Sequence, residues 1–182
     1  RAAVVEDLAA GTAGAGNAHV PVVVEPVAPD EPLLRDVGQL EPERLGLVVS
    51  GPEEVRRTVR MLIKYGVDSI KLNLSGESIT GMGAEETPMS EEEVAMAASE
   101  ARCRNKVLAA HARSSGSVKQ CIRHGIQNIY HASFADEEAL DMLEAAKDRH
   151  FVAPGIAWLI NTARYAAEWG IKPGSRVTIE YE

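Results

Sequence analysis

Cysteine is scarce in this chain, and the little there is suggests no bridge. Cys103 and Cys121 fall in helical patterns and in no Cys-x-x-Cys motif. Two reduced thiols in a cytoplasmic protein are therefore expected rather than a disulfide, and a reactive role has little support. No run of basic residues offsets the net charge of -8. Without clustered Lys and Arg, neither nucleic acid nor an anionic membrane surface is an expected partner. No apolar stretch reaches the roughly 20 residues that span a bilayer, and the N-terminus lacks a signal-peptide layout. What is present is an ordinary globular composition, 45% hydrophobic and 25% charged over 182 residues, enough for one domain with a substantial core.

The first fifty residues carry the weakest pattern. Residues 1–10 suggest the tail of a helix stopped by Gly11, and Val20 to Val24 a short buried strand. Five prolines between Pro21 and Pro42 then make a long connection. From Gly51 a repeating rhythm begins. Pro52, Glu53 and Glu54 suit a helix start, and Val55, Val59, Leu62 and Ile63 form its apolar stripe up to Gly66. A strand over Asp68 to Leu74 follows, then a glycine-rich loop from Ser75 to Met89.

Ser90 and Glu93 make a capping box for a helix to about Arg104, and Lys106 to His111 reads as the next strand. Helix Ser117 to His124, stopped by Gly125, leads into strand Gln127 to His131. Asp136 caps a helix whose stripe is Ala139, Leu140, Leu143 and Ala146, and strand His150 to Ile156 completes a fourth unit. Four helix-strand units in succession imply a parallel α/β sheet, either open and doubly wound or part of a (β/α)8 barrel. After Pro154 the rhythm breaks into a helical stretch from Trp158 to Trp169 and a weak alternation over 176–182.

Three residues on this frame carry chemistry. Alternation puts Ser69, Lys71 and Asn73 on one strand face and Ile70, Leu72 and Leu74 on the other. In a sheet covered on both faces, an inward lysine must lose its charge or find a partner, since burying a lone ammonium costs several kcal/mol. His111 and His131 end the next two apolar runs. Parity groups His111 with Val107 and Ala109, and His131 with Gln127 and Ile129. All three sit near the C-terminal strand ends, where α/β folds keep their sites. Neutral imidazole is a ligand for zinc or cobalt. A neutral lysine amine that takes up carbon dioxide becomes an anionic carbamate able to bridge two metals. Taken singly, such residues are more often structural, and a lysine head can snorkel past the strand end. Together they favour a shared cation.

The segments Ile70-Lys71-Leu72 through Ser75-Gly76-Glu77, Ala109-Ala110-His111-Ala112 and Ile129-Tyr130-His131-Ala132-Ser133 resemble strands four to six of the metal-dependent amidohydrolase superfamily. More narrowly, they resemble its imidazolonepropionase-like branch, which includes Xaa-Pro-type dipeptidases, phenylurea hydrolases and molinate hydrolase. The resemblance covers about Gly51 to Ile171. It implies that Lys71 is a carboxylated bridging ligand, that His111 and His131 bind metal, and that Val152-Ala153-Pro154-Gly155 is a seventh strand shaping the pocket. No His-x-His strand precedes this region, no Gly-x-Asp strand follows it, and His19 lies in neither motif. The expectation is then a portion of a (β/α)8 TIM-like barrel incomplete at both ends, inactive as an isolated piece. Residues 1–50 would be a partial N-terminal segment and proline-rich connection, 51–156 the central units, and 157–182 a pocket-lining segment leading to an absent last strand.

The implied function is hydrolysis of a C–N bond in an amide, carbamate, thiocarbamate or urea, with a molinate hydrolase-like member favoured and an Xaa-Pro-type dipeptidase the alternative. One or two divalent ions, zinc or cobalt, would be the cofactor, and a cytoplasmic homo-oligomer acting on a small molecule is expected. Arg113 is a candidate to hold an anionic substrate group or to lie on the surface, and Tyr130 to hydrogen-bond substrate, although its parity opposite His131 favours packing. Trp158, with Leu159 and Ile160, suggests an apolar pocket wall. His124 and His150 read as solvated or capping residues, and Glu85, Glu86, Glu91, Glu92 and Glu93 as a solvated helix start. A different class also fits: a non-catalytic α/β module gripping a small ligand without metal. Nucleotide binding has no support, because neither Ser75-Gly76-Glu77 nor Gly81-Met82-Gly83 opens a helix.

Overall fold

The computed structural model describes residues 22–26, 46–78 and 82–175, the first of these as backbone. The helix expected within 1–10 and the alternation within 176–182 lie outside the described residues. Among the described residues six strands form one parallel sheet: β1 (Val22–Pro26), β2 (Gly46–Val49), β3 (Ser69–Asn73), β4 (Val107–Ser114), β5 (Asn128–Phe134) and β6 (Phe151–Ala153). Their order is β2-β1-β3-β4-β5-β6. From β3 to β6 each strand lies beside the next in sequence, with one helix between, as in a portion of a (β/α)8 barrel. At the other edge β1 sits between β2 and β3. Strand β2 has no counterpart in the sequence reading, because four residues are too few to show a period.

The helices form where their local signals fall. Helix α1 (Pro52–Lys64) starts on Pro52 with Glu53 and Glu54 in its first turn, and buries Val55, Val59 and Leu62. Helix α2 (Glu91–Arg102) has the full Ser90–Glu93 capping box. The other Glu93 oxygen accepts the Gly51 N–H at 2.7 Å, fastening the start of α1. Helix α3 (Ser115–His124) ends on left-handed Gly125, and α4 (Glu137–Ala145) begins on Asp136, whose carboxylate accepts the Ala139 N–H at 2.8 Å. Helix α5 (Ile156–Tyr165) follows β6 directly.

Helices α1 to α4 cover one face of the sheet. Ile70 and Leu72 of β3, Ala110 and Ala112 of β4 and Ile129 of β5 are fully buried with Val55, Val59, Val94, Ala97, Val118, Cys121 and Ala139 of the helices. Each large aliphatic side chain buried here contributes about 1.5–3 kcal/mol. The opposite face of β3 is only partly covered, so Ser69, Lys71 and Asn73 are half-buried. Burial of both faces, expected from the parallel pattern, is thus met along β4, where Ala109, His111 and Arg113 are buried as well as Ala110 and Ala112, but not along β3.

Three smaller expectations are also corrected. His150, expected to be a solvated or capping residue, is not solvated: it is buried, its Nδ1–H donating to the Ile126 carbonyl at 2.7 Å. Glu93 is buried by its capping role, not part of a solvated run. Leu140 is exposed, because α4 turns only Ala139 fully into the core. Both cysteines are free, Cys121 buried and Cys103 exposed. Among the described residues no helix is long and apolar enough to cross a membrane.

Candidate metal centre

The register of three neighbouring strands brings the site together. Lys71 pairs with Ala109, Asn73 with His111, and His111 with Tyr130, so Lys71, His111 and Tyr130 share the face that the helices leave uncovered. Lys71 starts two residues below the level of His111, about 6.6 Å at strand rise, and its four-carbon stem suits that climb. Its Nζ lies 5.2 Å from the centre of the Tyr130 ring. Tyr130 therefore packs on the lysine's face.

His131 reaches the same place by a different route. Its strand partner is Ala112 and its neighbour Ile129 lies in the helix-covered core, so regular alternation would turn it toward the helices. The matched parity inferred from the sequence is corrected here. Left-handed backbone at His131 (φ 78°) and Ala132 (φ 52°) breaks the alternation, with a register shift between Ala112 and Ser114. The His131 ring then meets His111 edge to face, centroids 4.8 Å apart, with both residues buried. Non-glycine residues adopt such φ values at a cost of order 1–2 kcal/mol, which the surrounding packing sustains.

The loop after β3 is stitched to the end of β4. Ser75 Oγ accepts the Arg113 N–H at 2.7 Å, the Leu74 N–H donates to the His111 carbonyl at 2.9 Å, and the Thr87 and Ser114 hydroxyls lie 2.6 Å apart. Gly76 is needed there because a methyl group would collide with the Gly83 carbonyl and Met82. The Gly76 carbonyl in turn accepts from His111 Nε2 at 3.2 Å. A carbonyl only accepts, so Nε2 carries the proton and Nδ1 keeps the lone pair. Burial, with the nearby His131 and the cations of Lys71 and Arg113, pushes the His111 pKa down to about 3 against the pull of the Gly76 bond. The ring is neutral at physiological pH, the form that ligates metal.

Arg113 is 1% exposed, and its charge faces Glu77 at 2.6 Å. Its Nε donates to Ser133 Oγ at 3.3 Å, and its guanidinium lies 5.4 Å from the centre of the Phe134 ring. Glu77 also approaches His111 Nε2 at 3.8 Å, joining the arginine to the imidazole. Trp158, on α5, stacks on Trp169 with centroids 6.0 Å apart. The structure thus brings Lys71, Tyr130, His111 and His131 together and places Arg113 behind them through Glu77. Glu77 was missed as a site residue. Its signal was an acid directly after Ser75-Gly76 in the loop that follows the lysine strand.

Two imidazoles, with a lysine on the same side of the sheet, are the sequence-predicted ligands that gather here. Among the described residues no three His, Cys, Asp or Glu side chains gather where they could hold a metal ion. A lysine nitrogen such as that of Lys71 ligates only when uncharged, and a lysine carbamate ligates through oxygen. Neutral imidazole and an anionic oxygen suit a divalent ion of the zinc or cobalt type.

A parallel α/β sheet with polar side chains gathered at its C-terminal strand ends is the layout of (β/α)8 barrels. The comparisons agree with that fold. Ochratoxinase of Aspergillus niger is 32% identical over 101 residues, covering 53% of this chain and 20% of that protein. The solved structure of an amidohydrolase superposes with a TM-score of 0.73 at 23% identity, over 87% of this chain and 40% of the other. A Xaa-Pro dipeptidase with bound methionine superposes with a TM-score of 0.61 at 28% identity, over 74% and 32%. No family model matches the chain. The chain spans about a fifth of the length of the curated relatives it matches. These similarities relate the chain to the amidohydrolase superfamily.

Proposed function

We propose that Lys71, His111 and His131 hold a divalent ion, zinc or cobalt, and that the protein hydrolyses a C–N bond in an amide, carbamate, thiocarbamate or urea. The observation that carries this reading is the edge-to-face meeting of His111 and His131, achieved through left-handed backbone that core packing alone does not require. Lys71 supplies the anionic ligand after its amine adds carbon dioxide, forming one N–C bond and releasing one proton. An ion bound there supplies Lewis-acid polarisation of the substrate carbonyl and acidifies water.

The chain's own residues do the rest. Gly76 and Glu77 keep His111 in the tautomer that presents Nδ1. The Tyr130 ring shields the lysine head from water. Arg113 and Glu77 hold the start of the loop after β3 against β4. Among substrates, the 28% identity to a Xaa-Pro dipeptidase favours a dipeptide-type amide as a second reading beside the molinate-type thiocarbamate expected from the sequence. The test is metal content of the full-length protein followed by a panel of an Xaa-Pro dipeptide, an N-acyl amino acid, a thiocarbamate and a phenylurea. Stoichiometric zinc or cobalt with turnover of one class supports the reading. Metal-free protein that binds these compounds without turnover would make it the binding module instead.

A further inference from the structure

Gly155, just past the end of β6, lies against the His131 ring. A Cβ placed there would stand 3.1 Å from His131 Nδ1 and 3.4 Å from Cε1. The backbone at Gly155 is left-handed, φ 65°, and caps the start of α5, where its carbonyl accepts the Trp158 N–H at 2.9 Å. On another side of the same imidazole is His111, at a centroid distance of 4.8 Å. His131 therefore contacts both the bare backbone of Gly155 and its partner imidazole, and a Cβ at 155 would press on the ring more closely than ordinary packing.

We propose that Gly155 is a positioning residue for His131: its missing side chain leaves the space in which the imidazole can face His111. This rests on the metal reading above and extends it to a residue that touches neither ion nor substrate. Three left-handed residues, His131, Ala132 and Gly155, then act on one ring from two neighbouring strand ends. Two of them turn the ring out of the helix-covered face, and the third leaves room for it.

The test separates ring displacement from backbone strain. Gly155→Ala adds both. Gly155→Asn places the same Cβ but tolerates left-handed backbone. Gly170→Ala is the control, since Gly170 has φ 75° and nothing within 4 Å of a Cβ, so it adds strain alone. All three are made in the full-length protein, with zinc and cobalt affinity measured by chelator competition. The His131 ring resonances are recorded by NMR in the metal-free state. We expect both Gly155 variants to lose about tenfold or more in affinity and to shift the His131 resonances, while Gly170→Ala does neither. Gly155→Asn with affinity within about twofold of the unsubstituted protein and unmoved His131 resonances overturns the proposal. If the unsubstituted protein takes up no metal, the hydrolase reading fails, and the metal-free ring resonances still decide whether Gly155 positions the imidazole.

Discussion

His111 and His131 stand edge to face although strand register sets them on opposite faces of the sheet. The reconciling feature is the left-handed turn of His131 and Ala132. A ring that alternation would send into the helix layer is instead held beside its partner, and the site exists because β5 abandons regular pleating at that point.

That turn is open to measurement. Ala132 has φ 52°, where glycine is at ease and a β-branched residue is not. Ala132→Gly is expected to stabilise the fold by about 0.5–1 kcal/mol and Ala132→Val to destabilise it by more. Urea midpoints of the two variants check this. The opposite order would mean that regular β-strand geometry holds at 132.

Lys71 lies under Tyr130 on the uncovered face. Lys71→Ala should abolish turnover while the fold persists, and added short-chain carboxylates should restore part of it by occupying the place of the carbamate. Activity against the best substrate, with and without acetate or propionate, is the measurement. Unchanged turnover in Lys71→Ala would remove the lysine from the ligand set.

Glu77, half-buried, pairs with the buried Arg113 at 2.6 Å. Glu77→Ala removes a carboxylate facing a guanidinium that is 1% exposed, and is expected to cost about 3 kcal/mol. Denaturant unfolding reads it directly. Because Glu77 also lies 3.8 Å from His111, metal affinity should fall along with stability. A fall in stability alone would make the pair a loop clamp.

Asp136 gives the pH dependence. The Ser115 hydroxyl, the Ala139 amide and the Lys119 ammonium hold its carboxyl down to about 2, against an ordinary 3.8. A carboxylate with a depressed folded pKa adds stability above its unfolded value and loses it as pH falls through the folded one. Stability from this cap is therefore complete above about pH 4 and lost toward pH 2. Asp136→Asn should be less stable at pH 6, and the gap to the unsubstituted protein should close near pH 2. A gap that is constant across that range would rule out the titration.

What was legible in the sequence was local. The Ser90–Glu93 box, the Gly125 stop and the Asp136 cap each act within four residues, so they could be read without the fold. The ends of β4 and β5 were not. Both strands run on through Ala112 to Ser114 and Ala132 to Phe134, past residues whose strand character comes from pairing with each other. His131 was identified as a site residue on a parity argument that the backbone contradicts. Its real cause, two left-handed residues, leaves no mark where glycine is absent. The Arg113–Glu77 pair joins residues 36 apart, a contact that only the fold creates, and so Glu77 went unread.

Metal analysis of the full-length protein beside its His111→Ala and His131→Ala variants tests the shared cation site most directly. Elemental analysis should find one or two zinc or cobalt ions in the unsubstituted protein and loss of an ion in each variant, with helix content and thermal midpoint close to the original. Full occupancy retained in either variant would contradict it and return that histidine to a structural role.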